Sequence, residues 1–273
     1  MCIRDRCRGP FHGPDGPLHV EDRRYTHELT EAWVESAVVS GMARNDDFNG
    51  ASQEGAGLYQ VTCHQGRRWS TARAYLDPAA DRPNLTVRTG ALAEKVVVEG
   101  GRAVGVQYQH GRGSRTTYAA AEVLLCGGAV NSPQLLMLSG IGHAQHLRDQ
   151  GIEVVADLPV GDNLHDHLFH ALTFHATSSA LRGSATFFGK GVAKEVLRPG
   201  STFLANSVFE VLAFLQTSQA TGGIPDLQLH LLPWAYVSPN QDAPVRHDVD
   251  QRPSLTVLST QISVSYTHLR AHE

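Results

Sequence analysis

The stretch that decides the fold of this chain is Gly127-Gly128-Ala129-Val130-Asn131-Ser132-Pro133-Gln134-Leu135-Leu136-Met137-Leu138-Ser139-Gly140-Ile141-Gly142. It follows the apolar run Glu122–Cys126, which predicts a short buried strand. Ser132 and Pro133 predict the start of an apolar helix, because serine is a good N-cap and proline is tolerated at the first helical position. Ser139 and Gly140 then end the helix.

This strand, turn and helix favour a ligand site at the turn. Glycines such as Gly127 and Gly128 let a backbone approach a ligand closely, and a helix N-terminus favours anions such as a pyrophosphate. On pattern alone, an ordinary α/β crossover explains the stretch equally well, because a glycine-rich turn after a strand is a weak signal.

Periodicity and turn residues predict a helix, a β-meander and further strands on either side of this stretch. The predicted helices are Thr26–Met42, Thr71–Leu76 and Ala144–Gln150. The predicted strands are Leu58–Cys63, Leu85–Arg88, Ala93–Glu99, Ala103–Gln109, Thr116–Tyr118, Ile152–Ala156, Phe209–Gln216 and Leu227–Leu232. Gly100-Gly101 predicts a two-residue hairpin turn in the meander. Residues 176–206 and 236–253 are too poorly patterned to support a prediction.

The decisive stretch also resembles a known family motif. Gly128-Ala129, Ser132-Pro133, Leu135-Leu136 and Ser139-Gly140-Ile141-Gly142 resemble the second signature of the glucose–methanol–choline (GMC) flavoprotein oxidoreductases. Other segments resemble further motifs of that family, in the family's order: Asp15–Val20, Asp46–Gly50, Gln53–Gly57, Gly66–Ser70, Ala74–Leu76, Asn84–Val87, Gly161–His167 and Pro225–His230. The resemblance covers about residues 12 to 235 and is closest to the choline-dehydrogenase-like alcohol dehydrogenases.

The resemblance implies an α/β (α+β) fold. It would comprise an incomplete FAD-binding Rossmann-like domain with a β-meander, and part of a substrate domain with an antiparallel sheet. We expect residues 7–163 to be the central part of the N-terminal FAD-binding region, and residues 164–263 to be the truncated start of the substrate-binding region. Residues 1–6 and 264–273 resemble translated sequencing-adapter read-through, so we expect both terminal peptides to be artefacts.

Two parts of such an enzyme are missing from this sequence. No strand followed by G-x-G-x-x-G precedes Ser70, and the partial matches at Gly55–Gly57 and Gly140–Gly142 do not follow strands. The catalytic His of the family and its His or Asn partner lie in a C-terminal region that no segment matches, so no catalytic residue is predicted here. We expect the parent enzyme to be active, and this chain to be inactive or nearly so and to bind FAD poorly.

The resemblance also implies a reaction and a cofactor site. An alcohol is oxidised to an aldehyde by hydride transfer to FAD, while a base takes the hydroxyl proton. In the family, the main chain at the position of Ala93 contacts adenine, and Gly127 and Gly128 end the strand that points at the cofactor. We therefore predict that Ala93, Gly127 and Gly128 bind FAD. The alcohol and the electron acceptor stay open.

Two alternatives remain from the sequence. A GMC oxidase would use oxygen as its acceptor. A non-enzymatic module would bind metal through His165 and His167, whose alternation places them on one face of a strand. We expect no metal site, because 15 histidines make some clustering ordinary and no C-x-x-C occurs.

Composition bounds the partners and the location. The net charge of −4 argues against nucleic acid as a partner. No run of 18 apolar residues occurs, so we expect no integral membrane segment. Cys63 and Cys126 are expected to be buried thiols, since four cysteines make no disulfide framework here. We expect a cytoplasmic enzyme, with the question of a signal peptide on a missing native N-terminus left open.

Overall fold

The computed structural model describes residues 3–5, 10–13, 15–177, 185–205, 207, 209–235 and 252–262. The described residues form two compact units. The first unit contains the residues up to Arg82 and those from Leu168 onward, and the second unit is Pro83–His167. The predicted division at residue 163 lies four residues before the end of the second unit, and the functional assignment of the two parts stays a prediction.

The described elements are strands, four α-helices and three short helical turns at Ala72–Leu76, Asp77–Ala79 and Phe203–Ala205. The strands are β1 (Ile3–Asp5), β2 (Leu18–Val20), β3 (Gly55–Leu58), β4 (Cys63–His64), β5 (Arg67–Arg68), β6 (Ala91–Glu99), β7 (Arg102–His110), β8 (Gly113–Tyr118), β9 (Ile141–Gly142), β10 (Ala156–Asp157), β11 (Phe169–His175), β12 (Val211–Leu215), β13 (Leu227–Leu232) and β14 (Ser254–Gln261). The helices are α1 (Glu28–Val39), α2 (Gly128–Leu138), α3 (Ala144–Asp149) and α4 (Ala185–Leu197). Within the described ranges, no helix has the length and apolar character needed to cross a membrane.

The first unit is built on a five-stranded antiparallel sheet with the order β11-β14-β13-β12-β3. Helix α1 covers one face of this sheet through Val34, which packs against Val211 and Leu231. One turn further along α1, Ala37 packs against Ala56 and Ala213. The small side chains of this second cluster let the helix approach the sheet closely, so the predicted helical periodicity has a packing cause.

A buried carboxylate joins the start of α1 to the sheet. Glu210 is 2% exposed and directly precedes β12. Its carboxylate accepts hydrogen bonds from the His27 backbone N–H (2.6 Å) and from Thr30 Oγ1 (2.7 Å). The Arg23 guanidinium lies 4.0 Å away. Because anions are stabilised at helix N-termini and these partners satisfy the charge, Glu210 fixes where α1 begins relative to the sheet.

The glycine pair of the segment Gln53–Gly57 allows a loop to lie directly on β3. The Asn45 N–H donates to the Ala56 carbonyl, and the Ala56 N–H donates to the Ala43 carbonyl, both at 2.9 Å. A Cβ added to Gly57 would lie 1.8 Å from the Asn45 carbonyl oxygen. The loop therefore covers the outer edge of β3, which would otherwise present unpaired backbone groups.

Several predicted elements differ from the structure. Glu122–Cys126 is extended but unpaired, and Leu124 is 75% exposed, because no strand among the described residues lies beside it. Leu85–Arg88 forms no strand either. Strands β11 and β14 and helix α4 were not predicted. The two strands pair with each other across about 80 residues of sequence, and local pattern carries little information on such non-local pairing.

The close approach at Gly57 makes a sharp prediction. Gly57→Ala should destabilise the first unit by about 3 kcal/mol or more, because the backbone of Asn45 cannot move without breaking its bonds to β3. Chemical denaturation monitored by circular dichroism measures this. Gly113→Ala is the control, since its added Cβ meets no atom within 4 Å. Equal stability of the two variants would contradict the argument.

Candidate functional site

The second unit places helix α2 against the edge of a β-meander. Strands β6, β7 and β8 form an antiparallel sheet in sequence order, so β6 lies at its edge. The pairing of β6 with β7 shifts between Ala93 and Lys95, which leaves Glu94 as an extra residue. Bulges of this kind re-aim backbone and side chains and are frequent beside functional sites. Ala93 lies directly beside this bulge.

A single serine holds the helix against the strand. Ser139 is buried at the C-cap of α2, and its Oγ accepts the Val96 N–H of β6 at 2.8 Å. The same hydroxyl donates to the Leu135 carbonyl of the preceding helical turn at 2.5 Å. Both functions of the hydroxyl are thus used, and the last turn of α2 is fixed at one position along β6.

The residues after Ser139 fix the backbone that follows α2. Gly140 has φ +83, and a Cβ there would lie 2.4 Å from the Glu153 carbonyl oxygen. Its own carbonyl accepts the backbone N–H groups of Val155 (2.7 Å) and Ala156 (3.1 Å). Strand β9 then pairs in parallel with β10. The motif Ser139–Gly142 therefore acts through packing, with no ligand needed to explain its residues.

A cavity of about 370 Å³ opens between β6, the segment before α2, and α2 itself. Its lining residues are Leu92, Ala93, Val106, Leu124, Leu125, Cys126, Gly127, Asn131, Ser132, Gln134, Leu135 and Leu138. Five leucines and a valine make it largely apolar, and three residues bring polar side chains from α2. Ligand pockets typically have volumes of about 300–1,000 Å³ and combine an apolar lining with a few polar groups. This cavity is the candidate functional site.

Two of the three predicted cofactor residues line this cavity. Ala93 and Gly127 line it, whereas Gly128 is not among the lining residues. Gly128 instead begins α2 with φ +82, a backbone conformation that other residues rarely adopt. The binding role of all three stays a prediction.

The predicted role of Ser132 and Pro133 as the helix start is wrong. Helix α2 begins five residues earlier than Pro133, at Gly128, and Pro133 lies inside it. With Gly127 as its N-cap, the helix starts earlier, so Pro133 lies in its interior and not in the first turn, where proline is usually found. The Ser132 Oγ is buried and has no hydrogen-bond partner among the described residues.

The predicted burial of the two cysteines is half right. Cys126 is exposed, because nothing described covers its segment, whereas Cys63 is buried as predicted.

Sequence reasoning missed the contribution of α2 to the cavity. Asn131, Gln134, Leu135 and Leu138 recur at spacings of three and four residues, which places them on one helical face. That periodicity was visible in the sequence. It was not assigned to a site because the face could equally have packed into a core.

The first unit has a smaller concavity of about 200 Å³, lined by Asp46, Asp47, Phe48, Asn49, Gln53, Leu58, Tyr59, Gln60, Leu212 and Phe214. Its acidic groups have partners within the chain. His12 Nε2 lies 2.7 Å from Asp47 Oδ2, and Arg44 lies 3.0 Å from Asp46. The acidic side chains of this loop therefore already have contacts within the chain.

His230 is the unusual titratable group of the first unit. It lies on β13 opposite Leu212 and Leu258, and its ring centroid is 5.3 Å from that of Phe209. Its Nδ1 is buried and has no partner among the described residues. Burial lowers the pKa of the imidazole below its ordinary value, so the ring is neutral at neutral pH.

The metal-binding alternative centred on His165 and His167. Among the described residues, no group of three or more His, Cys, Asp or Glu side chains is arranged to hold a metal ion.

Comparison with known sequences decides the family. The GMC oxidoreductase profile matches residues 1–169. The chain belongs to the GMC oxidoreductase family. It is similar to the oxygen-dependent choline dehydrogenases of Rhizobium etli, with 43% identity over 229 residues, and of Brucella ovis, with 43% identity over 230 residues. Each match covers 82% of this chain and 41% of the relative. The chain thus spans about two fifths of the length of these relatives.

Solved structures support the fold. Pyridoxine 4-oxidase from Mesorbium loti is 24% identical with a TM-score of 0.77, over 96% of this chain and 48% of that one. A formate oxidase is 18% identical with a TM-score of 0.77, over 96% and 51%. The expected GMC resemblance and the mixed helix and sheet fold with antiparallel sheets are confirmed.

The Ser139 hydroxyl makes a testable prediction. Ser139→Ala should lower the free energy of unfolding of the second unit by about 1–3 kcal/mol, because the buried Val96 N–H loses its acceptor. Urea denaturation followed by circular dichroism measures this loss. The exposed Ser114 gives the control, because its hydroxyl also bonds two side chains, Gln107 and Glu94, and Ser114→Ala should cost clearly less than Ser139→Ala since water can replace both bonds. A loss of similar size in both variants would show that the bridge is not special.

His230 predicts a pH dependence. Its pKa is lower in the folded chain than in the unfolded chain, so protonation favours unfolding. The stability is therefore fully present above the unfolded pKa of about 6.5, and it is lost as pH falls from that value through the lower pKa of the folded chain. Relative to His230→Leu, the wild-type chain should lose unfolding free energy between about pH 7.5 and about pH 5.5. The exposed His170 is the control, and an equal slope in His230→Leu and His170→Leu would refute the assignment.

Proposed function

We propose that this chain is part of an FAD-dependent oxidoreductase that acts on the CH–OH group of alcohols, and that the cavity of the second unit receives the adenine end of FAD. The observation that carries the proposal is the cavity itself, which brings the main chain at Ala93 and the Gly127 turn together in a member of the GMC family. One structural neighbour, a formate oxidase from Aspergillus oryzae, contains an FAD that undergoes modification.

The cavity has the chemistry that an adenine ring needs. Leu92, Val106 and Leu135 offer apolar surface for a planar base, and no carboxylate of the described residues lines the cavity. The edge strand β6 offers backbone N–H and C=O groups that β7 does not use. A backbone contact at Ala93 would be insensitive to the side chain at that position. These features support a neutral, planar, hydrogen-bonding ligand.

When bound, FAD would accept a hydride from the carbinol carbon of the alcohol. The residues of this chain would hold and orient one end of that cofactor. The base that takes the hydroxyl proton is assigned to no residue here. The proposed site residues are accordingly Ala93, Gly127 and Gly128, all as cofactor contacts.

The substrate class follows from the relatives. Choline is the first alcohol to test, because the relatives at 43% identity carry choline dehydrogenase in their names. The same names specify oxygen dependence, which favours oxygen as an acceptor and makes an oxidase the second candidate. Hydrogen peroxide formation during turnover distinguishes the two. The absence of a nucleic-acid partner remains part of the proposal, supported by the net charge of −4. The cytoplasmic location also remains part of the proposal.

The central test compares two proteins. The 273-residue chain should purify without stoichiometric flavin, because its sequence holds no G-x-G-x-x-G turn for the pyrophosphate. A longer protein, obtained by extending the reading frame in the source DNA until that turn and a C-terminal histidine are included, should carry FAD. Its visible flavin absorbance should bleach on anaerobic addition of choline or another primary alcohol.

Three outcomes are informative. Stoichiometric flavin on the short chain would refute its predicted weak binding. An extended protein that folds but carries no flavin would refute the FAD proposal. Flavin that no alcohol reduces would leave the cofactor assignment standing and refute the proposed reaction.

A further inference from the structure

The carboxamide of Asn131 lines the same cavity as Ala93 and Gly127. Asn131 is exposed in the fourth position of α2, and no described residue forms a hydrogen bond with its side chain. It sits close to the turn, since a Cβ added to Gly127 would lie 3.2 Å from the Asn131 Cβ. An unused amide group therefore stands at the rim of a largely apolar cavity.

A carboxamide matches the edge of adenine. Adenine presents an amino donor beside a ring-nitrogen acceptor, and an Asn or Gln side chain can hydrogen-bond to both through its carbonyl oxygen and its NH₂ group. Guanine presents two acceptors on the corresponding edge, so the same amide cannot pair with both. Main-chain contact at Ala93 adds affinity, and a side chain that reads the base edge adds selectivity.

Two amides of α2 line the cavity, and the structure favours the first. Gln134 lies one turn further along the helix, beside Leu135 and toward Leu138, where the lining is apolar. Asn131 lies beside Gly127, one of the predicted cofactor residues. Asn131 also has one rotatable bond fewer than Gln134, so ordering it on a ligand costs less conformational entropy.

We propose that the Asn131 carboxamide reads the edge of the adenine ring and makes the cavity selective for adenine over guanine. This rests on the proposed function, because it takes the cavity to be the adenine site. Asn131 is then a specificity-determining residue of the cofactor site, and its effect is seen in nucleotide binding without any turnover.

The test uses the whole 273-residue chain and two simple probes, AMP and GMP. Saturation-transfer NMR titrations detect weak binding and give the affinity of each nucleotide. The wild-type chain should bind AMP about tenfold more tightly than GMP. Asn131→Leu, which replaces the amide with an apolar group of similar size, should remove that preference. Gln134→Leu is the matched control and should keep it, since both residues are exposed and line the same cavity.

The outcomes separate this inference from the proposed function. If the wild-type chain binds neither nucleotide while its circular dichroism shows a folded protein, the assignment of the cavity to adenine fails. If it binds AMP and GMP equally, the adenine selectivity fails. If Asn131→Leu keeps the preference, or Gln134→Leu alone removes it, the role of Asn131 is refuted. Loss of preference in Asn131→Leu only, with unchanged unfolding of both variants, supports the inference.

Discussion

The hydroxyl of Ser139 is the contact on which the candidate site most depends. It ties the Val96 N–H of the edge strand to the last turn of α2, and these two elements are the walls of the cavity. Apolar contacts alone do not fix a spacing, because the hydrophobic effect has no direction. A buried hydrogen bond does fix the spacing of two elements, since displacing either partner leaves a polar group unsatisfied. The cavity is therefore preformed, which lowers the cost of ordering it around a ligand.

The family signature divides into two parts with different causes. Its second half, Ser139–Gly142, is explained by the chain itself: a serine that joins helix to strand, and a glycine that admits the backbone of Glu153. Its first half includes Ser132 and Leu135, which border the cavity instead. A motif can thus combine residues required by packing with residues that line a cavity. Only the structure separates them, because both kinds look alike in the sequence.

Local patterns predicted the local parts of the fold. The Gly100-Gly101 turn placed the hairpin of β6 and β7, and alternation gave the bounds of β13 as Leu227–Leu232. The segment Glu122–Cys126 was predicted as a strand from its apolar residues, but a strand also needs a neighbour. The pairing of β11 with β14 could not be predicted, because these strands are neighbours only in the folded chain and local sequence patterns do not report such pairing. For the site, Ala93 and Gly127 came from family resemblance, whereas Asn131 required knowing where α2 begins and which face it turns to the cavity.

The position of that helix start changes what the site can do. A helix beginning at Pro133 would leave Asn131 in the preceding turn, with no fixed relation to Leu135 and Leu138. Because α2 begins at Gly128, Asn131 stands on the same face as those leucines and its amide is held at the cavity rim. In the proposed site, the main chain at Ala93 would recognise a ligand by shape and by hydrogen bonds that many residues at this position would permit. Discrimination between purines must come from a side chain, and α2 is the element that brings polar ones to the cavity.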